Sequence, residues 1–445
     1  MSHALALTAP APMPLAHTLV ALALILAVAR VCGRIARRLR QPTVVGEIVG
    51  GVLLGPSLLG LLPGHLDTLL LPAEIRPALH VLSQLGLVFF MFGVGYHLDA
   101  AHLRSGRAKR QVAAVSLSSV ALPFALGAGL AVLLHPWTDR KALAADGPLG
   151  PALFLGTAMA ITAFPVLARI LAERGLQRDP LGAISLACAA VQDLLAWCVL
   201  AAVVVVVQAD GPWPVVRMLL QSALLFGCLI FLVRPALAWM LAPDRRWAGA
   251  GAAPVHTVIV VGVLLTAAGT EAVGLHAVFG AFAFGAIVPR DRIETVAPQV
   301  PQQMDQFSAL LLPVFFTVTG MAVNIGGLGG EGLAVTAAVL AVACTGKFVG
   351  GFAAARLTGA TSREAGVLGV LLNARGLTEL VILNVGLSLG VIDPRLFTAM
   401  VVMAIVTTVM TGPLLTCLRR PGDDPAPPRA ERPSAAAGRA EVPGP

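Results

Sequence analysis

Two apolar runs, each interrupted near its middle, decide the fold: GTAMAITAFPVLARIL (156–171) and GVLLNARGLTELVILNVG (369–386). In the first run, Pro165 removes a backbone donor and disfavours helical geometry at Phe164, just after Thr162 and Ala163. The second run is interrupted by polar and small residues: Asn373, Arg375, Gly376, Thr378 and Glu379. We predict two helices broken at mid-membrane, whose freed carbonyls and helix ends can coordinate a cation. The alternative is a simple proline kink and a polar packing patch.

The composition around these runs is that of a polytopic membrane protein. Of the 445 residues, 57% are hydrophobic and 12% charged, and the mean hydropathy is +0.85. A soluble domain carries about a quarter charged residues. The composition therefore excludes a soluble enzyme, a nucleic-acid binder and a disordered scaffold.

Hydropathy, together with breaks at Gly, Pro and charge clusters, predicts thirteen membrane-spanning helices. The region 254–289 is either two short helices or one long bent helix. The predicted spans are 15–36, 41–62, 76–98, 110–134, 150–174, 180–208, 214–242, 254–272, 275–289, 303–324, 332–356, 363–389 and 394–418.

The basic residues set the predicted orientation. If the segment 34–40 is cytoplasmic, 22 of the 31 Lys and Arg residues fall on the inner side and 4 on the outer side. Basic residues collect on the cytoplasmic side, so we expect the N-terminus outside and the C-terminus inside the cell inner membrane. Residues 419–445, rich in Pro, Ala, Arg and Glu, should form a disordered cytoplasmic tail.

A weak internal repeat relates the two halves of the chain. Residues 48–60 parallel 278–289 at an offset of 230, and residues 88–95 parallel 314–321 at an offset of 226. Span 2 thus matches span 9, and an odd separation of seven helices makes matched helices run in opposite directions. We predict two inverted five-helix repeats, spans 2–6 and 9–13, as in secondary transporters. The two interrupted runs, spans 5 and 12, are then matched.

Ionisable residues inside the membrane are functional candidates by default. Asp193 lies near mid-span, and the adjacent Gln192 offers a carbonyl oxygen. Lys347 is either a charge partner of Asp193 or a proton carrier, or it snorkels towards the inner face. Arg375 and Glu379, four residues apart, form either a local ion pair or part of the ion-handling site. Glu47, near the inner end of span 2, should be interfacial or lie at an access funnel.

Seven motifs stand out along the chain. They are TAMAITAFPVLARIL (157–171), VQDLLAW (191–197), VFGAFAFGAIVPR (278–290), LLPVFFTVTGM (311–321), GKFVGG (346–351) and LLNARGLTELVILNVGLSLGVI (371–392), followed by TGPLL (411–415). In this order they resemble the monovalent cation:proton antiporter-2 family, and in particular its branch of the plant cation/proton exchangers. The similarity runs from about residue 40 to 418.

The resemblance implies a sodium/proton antiporter-like fold within residues 1–418, and a homodimer with elevator-like alternating access. Helices in 15–98 and 254–324 would form a dimer domain, helices in 110–208 and 332–418 a mobile core, and 214–242 a linker helix. It implies an ion-binding role for Asp193, with Gln192 before it, and a core role for Lys347. Many family members have Asn or Asp at the position of Gln192. Because Gln leaves only one carboxylate, the transported ion and the charge stoichiometry stay open.

We therefore expect an antiporter that exchanges K⁺ or Na⁺ for H⁺, with cation and proton competing for Asp193. Thr162 and Gln192 would help to bind the cation, and the broken-helix residues would support the site. A small-organic-solute carrier coupled to ions is the alternative, for which Trp197 and Arg375 are the available contacts. An enzyme is not expected, because the spans lack DDxxD, HExxH and paired aspartates. No cofactor, no nucleic-acid partner and no metal beyond the transported cation is expected.

Overall fold

The computed structural model describes residues 14–39, 41–61, 70–98, 105–134, 149–177, 179–208, 213–242, 252–321 and 330–418. Over these ranges the chain is helical, and it contains no strand. Ten helical segments, one of them interrupted at residues 161–163, are long and apolar enough to cross a membrane. The predicted class, an all-α polytopic membrane protein, is confirmed.

The described residues form sixteen helices, and short 3₁₀ turns occur at Leu59–Leu61 and Ala73–Ile75. The helix α8 contains a π-helical turn at Leu229–Val233. The helices are α1 (Pro14–Arg38), α2 (Thr43–Leu54), α3 (Arg76–His97), α4 (Gly106–Leu134), α5 (Leu149–Ala160), α6 (Phe164–Glu173), α7 (Pro180–Gln208), α8 (Trp213–Met240), α9 (Ala252–Val273), α10 (Ala277–Ile287), α11 (Arg290–Val296), α12 (Gln299–Met321), α13 (Gly330–Leu357), α14 (Ser362–Leu372), α15 (Leu377–Ser388) and α16 (Pro394–Leu418).

Each predicted span coincides with one helix or with a pair of short ones. The region 254–289 forms two helices, α9 and α10, separated by a turn at Gly274. The helices α2 and α10 are shorter than a full span, and the two interrupted runs are the pairs α5–α6 and α14–α15. The number thirteen stays a prediction, and the predicted tail at 419–445 lies outside the described residues.

The helices pack in two groups. The first group contains α1, α2, α3, α9, α10 and α12, and the second contains α4–α7 and α13–α16. Within each group, neighbouring helices pack extensively, whereas the contacts of α2 and α3 with α6 are small. The helix α8 packs on α7 and on α9. The assignment of the first group to a dimer domain, of the second to a core and of α8 to a linker stays a prediction.

The first group contains two close helix crossings, and the inverted repeat makes one the counterpart of the other. The helix α2 crosses α12 and α3 crosses α10, so each crossing joins one helix of the first repeat to one of the second. At the first crossing, a Cβ added to Gly51 would lie 2.0 Å from the Thr317 carbonyl oxygen. Small residues allow this approach, as is common in membrane helix pairs.

Gly51→Ala should therefore disrupt the α2–α12 crossing. Overpacking costs about 1–3 kcal/mol, so we expect a lower melting temperature in detergent, measured by fluorescence-detected size exclusion. Gly129→Ala in α4 is the matched control, since no described atom lies within 4 Å of its added Cβ. A melting temperature of the Gly51 variant equal to that of the control would contradict the crossing.

Candidate functional site

The two broken helices meet at their breaks. The helix α5 ends at Ala160 and α6 begins at Phe164, while α14 ends at Leu372 and α15 begins at Leu377. The Ala163 amide donates a hydrogen bond to the Ala374 carbonyl over 3.1 Å. Gly376 permits this approach, because a Cβ there would lie 2.4 Å from Val166. The predicted pair of broken, crossing helices is confirmed.

Two basic side chains satisfy the carbonyl groups at the end of α5. Arg375 donates to the Ala158 oxygen over 3.2 Å and to the Met159 oxygen over 2.7 Å. Lys347 donates to the next carbonyl, that of Ala160. The last carbonyls of a helix lack intrahelical partners and carry partial negative charge, so cations stabilise them.

Thr162 lies at the centre of the junction and is fully buried. Its hydroxyl accepts a hydrogen bond from Lys347 Nζ over 2.8 Å. The hydroxyl oxygen also lies 2.6 Å from Gln192 Oε1 and 2.8 Å from the Leu372 carbonyl oxygen, and its single hydrogen can serve either acceptor. Thr162 thus joins the break of the first repeat to α7, α13 and the end of α14.

Lys347 is fully buried, and its ammonium group points into the junction. It donates to the Ala160 oxygen, to Thr162 Oγ1 and, over 3.0 Å, to Gln192 Oε1. These three bonds use all three ammonium hydrogens. The snorkelling alternative is therefore wrong, because the side chain stays in the protein interior. In the described part of the chain, Lys347 makes no direct hydrogen bond to Asp193, since the oxygens of Gln192 and Thr162 take its place.

Asp193 is fully buried on α7, directly after Gln192. Neither of its carboxylate oxygens has a hydrogen-bond partner among the described residues. The backbone amide of Phe164, at the N-terminus of α6, faces the carboxylate, and Lys347 acts on it through space. A helix N-terminus favours an anion, but it does not replace the missing ligands. Gln192 Nε2 likewise lacks a partner in the described part of the chain.

Arg375 and Glu379 form the predicted local ion pair. Arg375 Nη1 lies 3.4 Å from Glu379 Oε1, and both side chains are buried. On α16, Thr408 accepts from the Arg375 amide over 3.1 Å and lies 2.7 Å from the Arg375 carbonyl oxygen. Sequence reasoning missed Thr408. Its signal was weak, because a threonine within an apolar helix can bond to its own preceding turn.

The other predicted support residues line the same junction. Phe164 packs edge-on against Phe282 of α10, with ring centroids 4.9 Å apart. Asn373 Nδ2 contacts Cys344 Sγ over 3.8 Å. The side chain of Thr378 lies outside the described residues. Over the described ranges, no three His, Cys, Asp or Glu side chains gather as a metal site.

The junction therefore joins an unpartnered carboxylate to a set of oxygens that already hold a cationic group. Residues 23–418 match the family described as sodium/hydrogen exchanger, transmembrane. The chain belongs to this family. The resemblance found in the sequence motifs is thereby confirmed.

Proteins similar in sequence to this chain support the same family assignment. The chain is 40% identical over 396 residues to the Na⁺/H⁺ antiporter NhaS4 of Synechocystis, covering 88% of this chain and 94% of that protein. It is 34% identical to cation/H⁺ antiporter 15 of Arabidopsis thaliana and 32% identical to K⁺/H⁺ antiporter 1 of Saccharomyces cerevisiae. These matches cover 90% and 84% of this chain but only 48% and 43% of the relatives. The chain thus spans about half the length of the plant and yeast proteins.

The fold of this exchanger-family chain also matches a solved structure. The sodium proton antiporter MjNhaP1 of Methanocaldococcus jannaschii superposes with a TM-score of 0.63 at 14% identity. The match covers 90% of this chain and 96% of that one. The sodium/proton antiporter-like fold that the resemblance implied is therefore confirmed.

Replacing Arg375 tests the electrostatics of the junction. Arg375→Met frees two carbonyls and leaves Glu379 without its partner, and breaking a buried pair in this way costs about 3–5 kcal/mol. We expect a markedly lower melting temperature in detergent. Adding Glu379→Gln to this variant should restore part of the loss, because it removes the unpaired acid. A double variant as unstable as Arg375→Met alone would contradict the pairing.

Proposed function

We propose that this protein exchanges a monovalent cation for H⁺ across the membrane, with both ions competing for Asp193. The carrying observation is the Asp193 carboxylate, which is fully buried and has no hydrogen-bond partner among the described residues. Its neighbour in sequence, Gln192, contributes one of the three oxygens that bind the Lys347 ammonium group. A bare buried carboxylate is costly. Binding a proton or binding a cation both neutralise it. The names of the bacterial, plant and yeast relatives support the same activity.

Lys347 indicates where the cation would bind. Its ammonium group occupies a place among the Ala160 carbonyl, Thr162 Oγ1 and Gln192 Oε1. Oxygen atoms of this kind are suitable ligands for Na⁺ or K⁺. We infer that the incoming cation displaces the ammonium group from these oxygens and completes its shell with Asp193. Lys347 then acts as a tethered competitor, which releases the ligands on binding and recovers them on release.

The transport cycle follows from the charge of Asp193. The proton-loaded and cation-loaded forms are neutral at the carboxylate and can cross the apolar barrier, whereas the bare anion is held back by its desolvation cost. In elevator-like alternating access, the second helix group would carry the site past the first. We place the protein as a homodimer in the cell inner membrane, with the N-terminus outside and the C-terminus in the cytoplasm.

The organic-solute alternative is less well supported. A carrier of an anionic organic solute would use Arg375 as its basic contact. The guanidinium group is instead engaged by the Ala158 and Met159 carbonyls and by Glu379. The ion itself is Na⁺ or K⁺, since sodium and potassium antiporters both occur among the relatives.

Asp193→Asn should abolish exchange and leave the protein folded, because Asn has nearly the same volume but cannot alternate between charged and neutral forms. The assay is recovery of a quenched pH dye in everted vesicles after addition of K⁺, Na⁺, Li⁺ or organic solutes. Asp291→Asn, at an exposed position in α11, is the matched control and should exchange normally. If the Asp193 variant retained more than a small fraction of exchange, Asp193 would not be the site for which cation and proton compete.

Lys347→Met should lower the apparent KM for the cation roughly ten-fold, because it removes both a competitor and a nearby positive charge. Arg356→Met, nine residues further along α13, keeps the same helix and should leave the KM unchanged. The measurement is the initial rate of dye recovery against cation concentration. A raised KM, or a complete loss of exchange in the folded variant, would instead make Lys347 a required ion partner or proton carrier.

A further inference from the structure

A charged cavity lies between the two helix groups, at the face predicted to be cytoplasmic. It has a volume of about 690 Å³ and is bordered by α1, α2, α6 and α16. Its charged lining residues are Arg30, Arg37, Glu47, Arg169, Glu173 and Arg174. None of these belongs to the cation site proposed at Asp193.

Glu173, the last residue of α6, caps the first turn of α2. Its carboxylate accepts a hydrogen bond from the Thr43 amide over 2.7 Å and another from the Thr43 hydroxyl. Pro42, at the N-cap position of α2, provides no side-chain capping bond. The first amides of a helix need acceptors and favour negative charge. A side chain of the second helix group therefore completes a helix end in the first group.

Arg169 adds a second link between the same two helices. It lies one turn before Glu173 on α6, and its Nε is 2.8 Å from Glu173 Oε1. Its Nη2 is 3.7 Å from Glu47 Oε1 on α2. The guanidinium group thus holds together two carboxylates, one from each helix group.

Separating α6 from α2 would leave Glu47 in an unfavourable position. Glu47 is only 4% exposed, and its Oε2 already lacks a partner in the described part of the chain. Removing one member of a buried ion pair costs several kcal/mol when the other stays buried. The polar cavity beside the pair can admit water to the freed charges, so the cost of opening is limited rather than prohibitive.

Two aromatic contacts between the groups differ in kind from this ionic cluster. Phe164 packs on Phe282, and Trp197 packs on His276 with ring centroids 6.0 Å apart. Ring contacts of this kind can slide without leaving an ion unpaired. Separating α6 from α2 must instead break the hydrogen bonds between the Glu173 carboxylate and Thr43 and part the Arg169–Glu47 ion pair. Charge-assisted hydrogen bonds are about twice as strong as neutral ones.

We propose that Thr43, Glu47, Arg169 and Glu173 form an ionic latch between α2 and α6. The latch holds the two helix groups in the arrangement seen here and opens once in each transport cycle. This proposal rests on the alternating-access mechanism proposed above. It assigns the task of holding the two groups together to Glu47, which sequence analysis placed either at the membrane interface or at an access funnel.

Hydrogen–deuterium exchange on Glu173→Gln, compared with wild type, tests the latch. Amides of residues 43–48 should exchange faster, because the capping acceptor is weakened. The deciding readout lies at the Trp197–His276 contact, which joins the groups through α7 and the residue before α10 and not through α2 or α6. Segments 195–199 and 274–278 should exchange roughly ten-fold faster, equivalent to a shift of about 1.4 kcal/mol in the balance between latched and open forms.

Glu364→Gln is the matched control. Glu364 forms a capping box with Thr361 within α14 alone, so its loss weakens a helix end without touching the contact between groups. It should leave segments 195–199 and 274–278 at wild-type rates. Glu47→Gln removes the latch but keeps the Glu173 cap, and it should accelerate the same two segments even if Glu173→Gln fails to fold.

Unchanged exchange of segments 195–199 and 274–278 in both the Glu173 and the Glu47 variants would overturn the latch and make Glu173 a simple helix cap. The wild-type vesicle assay separates this result from a failure of the proposed function. Wild-type protein that moves no protons in response to any cation would refute antiport, while the exchange comparison would still report on the latch.

Discussion

The carbonyl groups of Ala158, Met159 and Ala160 constrain the centre of this molecule. They end the half-helix α5 in the buried interior, where each unsatisfied polar group is costly. The donors are Arg375, which lies just before α15, and Lys347, which lies in α13. The broken helix α5 therefore accounts for the burial of two positively charged side chains, Arg375 and Lys347, in the apolar interior. The buried acids Glu379 and Asp193 then balance their charge.

The two buried basic side chains differ in their partners, and this difference bears on the proposed function. Arg375 has an acid within reach, whereas Lys347 is saturated by uncharged oxygens. Among the buried acids that the structure describes, Asp193 is consequently the one that no cationic side chain contacts directly. A permanently paired carboxylate would hold neither a proton nor a cation reversibly. In the proposed exchange, the saturation of Lys347 by Gln192 and Thr162 would leave Asp193 free to bind a proton or a cation in turn.

The sequence predicted the breaks and the buried charges well, because their signals are local. Pro165 disrupts its own helix, and a charge such as Asp193 stands out within an apolar run. Pairings across helices were less predictable. The partners of Lys347 depend on how α13 is rotated against α7, which hydropathy does not encode. The link between Thr43 and Glu173 joins residues 130 positions apart, and no periodic pattern marks it.

The two halves of the chain also depend on each other for the hydrogen bonds at their breaks. The break of the first repeat has no basic residue, so Arg375 and Lys347 of the second repeat satisfy its carbonyls. In return, Thr162 of the first repeat approaches the Leu372 carbonyl at the end of α14, and the Ala163 amide bonds to Ala374. Each break completes the other's hydrogen bonds. The two broken helices must therefore pack as one unit, and any movement of the Asp193 site has to carry both of them together.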